Sequence, residues 1–328
     1  MRRITILIIL LAVLWATTST VMMQGQPVLV SVPNDYTLIS EAIAAVPDGT
    51  LIRIQSGEYN ENLIIEHPIK LLGERGAILR GAIDTPVITV QDTNDVLIEG
   101  LTIRDGTHGI YVTHSNHITI QNNVVENARL TGIKVRMAWA NIMNNTVRNS
   151  LPPYGRGIHV TNTTQYPRST IVGNRIFDNA LSGIITNMTG MIVLDQNLIH
   201  GNGRGGIAIT EMSQAIVKDN VVRDNFEVGI FVTDMSMADL CRNQVLNTSL
   251  SPDQVGTRVG HGVLIDFRAE VYLIDNHIEG NSGAAIAVMN NAFARIGNNT
   301  LESNSENIIN ITSTVEHQQP INPGCGES

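Results

Sequence analysis

The sequence predicts an all-β protein, a right-handed parallel β-helix of about ten turns with a short N-terminal capping helix. Three observations support this prediction: an asparagine that recurs about every 23 residues, apolar columns around it, and a glycine-led apolar tetrapeptide after it. The recurring asparagines are Asn123, Asn145, Asn174, Asn197, Asn220, Asn243, Asn276 and Asn299. Such a period indicates one unit stacked many times, because each copy buries its apolar face against the next.

Within each copy, apolar residues alternate with variable ones over short runs, which is the period of a β-strand. One apolar column lies three residues before the asparagine and another two residues after it, as Ile120 and Val125 do around Asn123. The tetrapeptide reads GIYV at 109, GIKV at 132 and GIHV at 157, and variants follow in later copies. We therefore expect three short strands in each turn of the solenoid.

The asparagine column predicts a ladder of side-chain hydrogen bonds inside the solenoid. Parallel strands in successive turns lie about 4.8 Å apart, so equivalent residues stack directly on one another. Stacked amides can bond to each other and to buried backbone groups of the turn. We interpret these asparagines as structural.

The N-terminal part of the solenoid is predicted to be closed by a helix. Leu38, Ile39, Ala42, Ile43 and Val46 form one apolar stripe at helical spacing. We place this cap at 34–50, within a single domain at 26–312 that is followed by a polar tail at 313–328.

Residues 1–25 are predicted to be a secretory signal peptide. A basic start is followed by about a dozen apolar residues, fewer than the roughly 20 needed to cross a bilayer. An uncleaved membrane anchor is the alternative. We expect a secreted, periplasmic or cell-surface protein whose membrane contact is confined to this segment.

Charge and cysteine content restrict the partners. The formal net charge of −9 argues against nucleic acid as a partner, and we expect a monomer. The two cysteines are Cys241, predicted to point outward, and Cys325 in the tail. A disulfide between them and two free thiols are both consistent with the sequence.

The repeat resembles the parallel β-helix repeat family of the pectin-lyase-like superfamily. The opening segment YTLISEAIAAVPDGTLIRIQSGEYNENLIIEHPIKLLGERG resembles the start of NosD-type and other carbohydrate-binding and sugar-hydrolase β-helix domains. The resemblance implies a protein that binds or modifies an extended polysaccharide. The Asp-Pro-His element of mannuronan epimerases and the Trp-Ile-Asp-His element of pectate lyases are absent.

The outward position of the tetrapeptide gives the first candidate site. Tyr111, Lys134 and His159 occupy it in consecutive copies, with Arg136 beside Lys134 and His114 near Tyr111. These groups suit β-elimination or C5 epimerisation of a uronate, which needs a base, an acid and a cation for the carboxylate. Lys134 is the predicted base, Tyr111 or His159 the acid, and Arg136 the carboxylate clamp. A solvated strand with polar residues is the alternative.

A second candidate site is acidic. Glu211, Asp234 and Asp266 lie at equivalent corners of consecutive copies, where carboxylates can bind Ca²⁺ or serve a glycosidase. His261 belongs to a Gly-His-Gly element that resembles one short part of polygalacturonases. We predict that these residues bind substrate, with a solvated acidic corner as the alternative.

Two further features complete the predictions. Met188, Met212 and Met235 recur at one corner, and thioethers suit Cu(I), so Cu(I) ranks below Ca²⁺ as a cofactor. Insertions at 150–156, 163–168 and 249–261 interrupt the repeat. The first and third enter at the same corner, where they can wall a groove; loops that merely tolerate insertion are the alternative. If the protein is an enzyme, lyase or epimerase chemistry ranks above hydrolysis. A non-catalytic surface scaffold or a NosD-like copper-handling protein is the alternative function.

Overall fold

The structure, a computed structural model, describes residues 28–166, 168–251 and 260–317. The predicted signal peptide, Cys325 and most of the insertion at 249–261 lie outside these residues. Within them, no helix is long and apolar enough to cross a membrane. The described residues form a parallel β-solenoid of about twelve turns, so the predicted fold class is confirmed.

Each full turn contributes one strand to each of three parallel sheets. Sheet 1 consists of β1 (Leu29–Val32), β2 (Thr50–Ile54), β5 (Ile69–Gly73), β8 (Leu97–Glu99), β11 (Ile118–Gln121), β14 (Ala140–Met143), β17 (Thr170–Val172), β20 (Met191–Asp195), β23 (Gln214–Lys218), β26 (Met237–Cys241), β29 (Glu270–Ile274), β32 (Phe293–Gly297) and β35 (Thr314–His317).

Sheet 2 follows sheet 1 around each turn. It consists of β3 (Gly57–Asn60), β6 (Ala77–Gly81), β9 (Thr102–Asp105), β12 (Val124–Glu126), β15 (Thr146–Arg148), β18 (Arg175–Phe177), β21 (Leu198–His200), β24 (Val221–Arg223), β27 (Gln244–Leu246), β30 (His277–Glu279) and β33 (Thr300–Glu302).

Sheet 3 completes each turn and contains the glycine-led tetrapeptides. It consists of β4 (Leu63–Ile65), β7 (Ile88–Gln91), β10 (His108–Thr113), β13 (Thr131–Arg136), β16 (Arg156–Thr161), β19 (Ser182–Asn187), β22 (Gly205–Thr210), β25 (Val228–Val232), β28 (His261–Ile265), β31 (Ala284–Met289) and β34 (Glu306–Ile311).

The solenoid extends beyond the repeat at both ends. The strand β1 precedes the helix, and β35 pairs with β32 beyond residue 312, where we had placed the end of the domain. The earlier turns lack the ladder asparagine, and Leu101 stands where Asn123 stands one turn later. The predicted count of ten turns was therefore too low.

The helix α1 (Ile39–Ala45) covers the first turns. Ile39, Ala42 and Ile43 are buried, whereas Leu38, predicted to belong to the same stripe, is 42% exposed. The Glu61 carboxylate accepts hydrogen bonds from the backbone N–H groups of Ile39 (2.9 Å) and Ser40 (3.0 Å). This carboxylate therefore accepts hydrogen bonds from backbone N–H groups that the first turn of a helix leaves without partners.

The asparagine ladder is present at the corner between sheets 1 and 2. Asn197 donates from its backbone N–H and from Nδ2 to Asn220 Oδ1, both at 2.9 Å. Asn220 repeats the pattern toward Asn243, and its Nδ2 also donates to the Leu194 carbonyl. Each amide therefore satisfies buried backbone groups of two turns.

A second ladder, which the repeat alignment did not reveal, lies at the corner between sheets 2 and 3. Asn179 Nδ2 donates to Asn202 Oδ1, and Asn202 Nδ2 to Asn225 Oδ1, both at 3.0 Å. Ser150 and Thr248 occupy equivalent positions and donate only from their backbone N–H groups to the next asparagine. These substitutions interrupt the column and conceal it in the sequence.

The glycine of the tetrapeptide is required by close packing. A Cβ at Gly132 would lie 2.3 Å from Val147 Cγ1 in the core and 2.9 Å from the Gly157 carbonyl oxygen in the next turn. No side chain fits there without moving the turns apart. The glycine column therefore holds sheet 3 in register with its neighbouring turns.

Replacing Asn220 with Ala is expected to lower the free energy of unfolding by about 1–3 kcal/mol, because buried backbone groups lose their partners. Gln214→Ala, at an exposed position one corner earlier, is the matched control. Urea denaturation followed by circular dichroism measures both variants. Equal stabilities would show that the ladder does not stabilise the fold.

Candidate functional site

Three predicted residues stack on the outer face of sheet 3. Tyr111 on β10 is in register with Lys134 on β13, and Lys134 is in register with His159 on β16. All three side chains are half-buried. They point outward because the apolar neighbours on each strand, such as Ile133 and Val135, fill the core. A ligand contacting all three would span two turn spacings, about 10 Å.

Arg136 and His114 border this stack. Arg136 is half-buried two residues after Lys134, in register with Thr113 and Thr161. His114 is exposed at the corner that follows β10, where its Nδ1 lies 3.1 Å from Thr113 Oγ1. Arg136 is thus on the same face as Lys134, while His114 lies at the edge of that face.

Two residues that the sequence analysis missed join the stack. His108 and Arg156 each precede the tetrapeptide glycine and lie in register with Thr131 between them. The His108 and Tyr111 ring centroids are 5.5 Å apart. Arg156 enters at the end of the 150–156 insertion, so that insertion supplies a cation to this face. The sequence contained one sign of these two residues, because each lies directly before a tetrapeptide glycine.

A hydrogen-bonded chain orients His159. Its Nε2 lies 2.8 Å from Asn187 Oδ1, and Asn187 Nδ2 donates to Glu211 Oε2 at 3.2 Å. Because Asn187 Oδ1 is an acceptor, Nε2 carries the proton and Nδ1 carries the lone pair. That Nδ1 is buried and has no hydrogen-bond partner among the described residues. Glu211 is therefore linked to His159 through the side chain of Asn187.

Both histidines of the stack are neutral at pH 7. Burial lowers the pKa of His108 to about 4, and the neighbouring charge of Lys134 acts in the same direction. Burial also lowers the pKa of His159 to about 4, with Lys134 and Arg156 contributing, although its bond to Asn187 opposes the shift. Each imidazole can therefore accept a proton or share a neutral hydrogen bond at this pH.

Lys134 is also shifted toward its neutral form. Burial lowers the pKa of its amine, the nearby Tyr111 opposes the change, and the charges of Arg156 and Arg136 lower it further. A lysine with a lowered pKa is a better general base near neutral pH than a solvated one. Like charges and burial thus act together on this amine.

The cations of the stack have no counterion in the part of the chain that the structure describes. Among the described residues, Lys134, Arg136 and Arg156 form no ion pair with a carboxylate, although the chain carries a net charge of −9. Elsewhere, carboxylates meet cations across turns, as Asp219 meets Arg242 at 2.8 Å. We call the surface formed by His108, Tyr111, Lys134, Arg136, Arg156 and His159 the basic face.

The rest of the outer surface of sheet 3 differs in character. In later turns, Ala208, Phe231, Leu264 and Ala287 take the position of Lys134, and they belong to a second apolar cluster that is almost fully buried. From Ile185 onward, the outward position that Lys134 occupies is therefore filled by apolar residues.

The acidic candidates do not form one site. Among the described residues, Glu211, Asp234 and Asp266 do not come together within 4.8 Å. Glu211 Oε2 accepts from Asn187, and Asp266 Oδ1 accepts from the Phe267 N–H (2.9 Å) and from Asn290 Nδ2 (2.7 Å). Asp266 lies in the column of Thr233, one position before the column of Glu211 and Asp234, so the structure does not bring the three carboxylates together as the predicted Ca²⁺ ladder.

His261 does not belong to an accessible substrate surface, contrary to the prediction. Its side chain is buried, with 3% exposure, and its Nδ1 accepts a hydrogen bond from the Ala284 N–H at 3.0 Å. Burial lowers the pKa of this imidazole. His261 lies where β28 begins and joins two turns, which is a structural role.

Three side chains elsewhere have the donor set of a metal site. His277, Glu279 and Glu302 on sheet 2 place their ligand atoms within 4.8 Å of one another, and His277 Nε2 already pairs with Glu279 at 2.8 Å.

The methionines predicted for Cu(I) lie at the corner after sheet 3, where Met212 and Met235 are 59% and 54% exposed. Copper binding stays a prediction.

Two cysteine predictions have different outcomes. Cys241 occupies an outward register position between Lys218 and Ile274, but it is buried, with 1% exposure. The predicted outward orientation agrees with the alternation of this strand, and the side chain is shielded from solvent. The disulfide with Cys325 stays a prediction, because Cys325 lies outside the described residues.

Comparison with solved structures shows the same fold at low sequence identity. The A-module of the mannuronan C-5 epimerase AlgE4 of Azotobacter vinelandii superposes with a TM-score of 0.58 at 14% identity, covering 86% of this chain and 92% of that one. A family 28 exopolygalacturonase of Yersinia enterocolitica gives 0.60 at 10% identity, covering 91% and 79%. At these identities the likeness concerns the fold.

Two curated relatives and one family model match the sequence itself. A cell surface glycoprotein of Methanothermus fervidus is 31% identical over 135 residues, which are 40% of this chain but only 22% of that protein. The family model described as "Right handed beta helix region" matches residues 86–250, half of the chain. The protein therefore belongs to the right-handed β-helix family.

Proposed function

We propose that this protein binds an anionic, uronate-containing polysaccharide at the cell exterior through the basic face, and acts on it as a lyase or C5 epimerase. The observation that carries the proposal is the group of three cations, Lys134, Arg136 and Arg156, that lack carboxylate partners among the described residues of an acidic chain. Unpaired, half-buried cations favour an anionic ligand, because its carboxylate replaces the missing counterions.

The chemistry follows from the positions of the groups. Arg136 would bind the uronate carboxylate and stabilise the negative charge that develops when C5 loses its proton. Arg156, at the other end of the paired strands β13 and β16, adds a second cation for the polymer. Lys134, whose pKa is lowered by burial and by the two arginines, would take that proton. The register places Tyr111 and His159 one turn to either side of the base.

The two reactions differ after proton removal. In elimination, the electron pair left at C5 forms the C4–C5 double bond as the C4–O bond breaks, and the Tyr111 hydroxyl protonates the leaving oxygen. In epimerisation, C5 receives a proton on its opposite face and no bond between sugars breaks. His159, the other predicted acid, is neutral at pH 7 and donates its Nε2 proton to Asn187, so we propose Tyr111 as the proton donor.

Two comparisons support the assignment. The superposed proteins include an epimerase named for mannuronan and a polygalacturonase, both named for polyuronates. The relative named a cell surface glycoprotein supports an exterior location. That relative also favours the second candidate function, a non-catalytic surface module that binds the polymer without changing it.

Lys134→Ala is expected to abolish turnover. The mature protein is incubated with alginate, pectate and hyaluronan while ultraviolet absorbance reports new unsaturated uronates, and proton exchange at C5 in deuterated water reports epimerisation. Lys134→Arg should keep polymer binding in affinity electrophoresis but lose turnover at least a hundredfold, because a guanidinium does not act as a base near pH 7. Lys70→Ala, which removes an exposed lysine on sheet 1, is the charge-matched control.

The outcomes separate the two functions. Binding without either signal would establish the non-catalytic module. Full activity in Lys134→Ala would refute Lys134 as the base, and absence of polyuronate binding by the wild type would refute the proposal as a whole.

The neutral histidines predict a pH-dependent stability. Below the ordinary histidine pKa of 6.5, the unfolded chain binds protons that His108 and His159, with pKa values of about 4, do not bind in the folded state. Stability should therefore fall as pH drops from about 6.5 to 4. His108→Gln should make the melting temperature decline less steeply over this range. The control His317→Gln, at an exposed position, should leave the slope of that decline unchanged. Parallel wild-type and His108→Gln curves would contradict the assignment.

A further inference from the structure

A separate cavity lies at the corner where sheet 3 passes into sheet 1, in the turns that contain β25, β28 and β31. Its volume is about 580 Å³, within the range of small-molecule sites. Its walls include Asp234, Met235, Phe267, Arg268, Asn290 and Asn291. Four turns separate His159 from the turn of Phe267, which is about 19 Å along the solenoid. The cavity is therefore distinct from the basic face.

An aromatic ring is presented to solvent in this cavity. Phe267 is 55% exposed and Met235 is 54% exposed. Both have left-handed backbone conformations, with φ of 41° and 58°, where asparagine or glycine is usual. At the corresponding corner of the following turn, the chain does use asparagines, Asn290 and Asn291. A bulky aromatic residue in such a conformation calls for a reason other than turn formation.

Unpaired polar groups surround the ring. Among the described residues, the side chains of Asp234, Arg268 and Asn291 take part in no hydrogen bond or ion pair, although Asp234 and Arg268 line the same cavity. Asn290 Nδ2 donates to Asp266 Oδ1 at 2.7 Å and keeps its own Oδ1 available. A carboxylate, a guanidinium and amides thus offer acceptors and donors beside one apolar surface.

This combination matches a sugar ring. A pyranose has an apolar face of C–H groups that packs on an aromatic ring, and a rim of hydroxyls that both donate and accept hydrogen bonds. The charge of the cavity selects among sugars. Among the described residues that line it, the carboxylate of Asp234 is balanced by the cation of Arg268. Such a lining offers a uronate carboxylate no net electrostatic attraction, so it favours a neutral sugar.

We propose that this corner is a binding site for one neutral pyranose residue, with Phe267 as the stacking platform and Asp234, Arg268 and Asn291 as the polar contacts. This site does not depend on the function of the basic face. It gives the solenoid two carbohydrate surfaces, one basic and one without net charge.

The test measures binding of cellohexaose, laminarihexaose, mannohexaose and chitohexaose to the full protein by saturation-transfer NMR and calorimetry, with oligogalacturonate as the charged comparison. At least one neutral oligosaccharide should bind, and Phe267→Ala should weaken it tenfold or more. Phe267→Leu, which keeps apolar bulk without the ring, should weaken it similarly. Tyr154→Ala removes another aromatic ring of matching exposure, 59%, and should have no effect.

The remaining outcomes overturn the proposal. They are failure of every neutral oligosaccharide to bind the wild type, unchanged affinity in Phe267→Ala, and oligogalacturonate binding that Phe267→Ala abolishes. Oligogalacturonate binding that persists in Phe267→Ala would concern the basic face alone, so the two carbohydrate proposals can fail independently.

Discussion

The close spacing of successive turns is the constraint on which the rest of this structure depends. At about 4.8 Å between turns, any buried polar group at a corner faces the same group of the next copy, and only a side chain that both donates and accepts can satisfy such a column. Asparagine does so: Asn243 accepts from Asn220 and donates to Asn276, while also reaching the Val217 carbonyl. The ladder converts a repeated corner into a continuous hydrogen-bonded column.

The same spacing governs charge on the outer surface. Directly stacked residues of one sign repel, and part of sheet 2 alternates the signs of its charges. Glu126 lies between Arg104 and Arg148 on sheet 2, and although burial opposes it, bonds from both arginines keep the pKa of Glu126 below its usual value. The basic face departs from this alternation. Lys134 is followed in the next turn by His159 and flanked by Arg136 and Arg156, and burial together with these like charges lowers the pKa values of Lys134 and His159.

How well the sequence predicted a structural feature depends on how regularly that feature repeats from turn to turn. The Asn column, the GIKV-type strands and the stacking of Tyr111 on Lys134 could be predicted because one period relates them. Features that break the period were missed or misjudged. Leu101 replaces the ladder asparagine in an early turn, Ser150 and Thr248 interrupt the second ladder, and Arg156 arrives through an insertion. His261 was misjudged because a sequence match carries no information about burial.

The outer surface of sheet 3 shows how one repeat can carry different functions along its length. Core positions are held constant by packing, since Ile133, Ile158, Ile184 and Ile207 must interlock, whereas the outward position between them is free to vary from turn to turn. It carries Tyr111, Lys134 and His159 in three turns, then Ile185, and then the apolar residues of the buried cluster around Phe231. The corner after this sheet varies in the same way, from Glu211 and Met212 to Phe267 and Arg268. Every turn places one residue of each outward column on the surface, about 4.8 Å from its neighbours in the column. Substituting that residue changes the surface of one turn and leaves the core unchanged. Separate sites can therefore arise at different positions along one continuous solenoid.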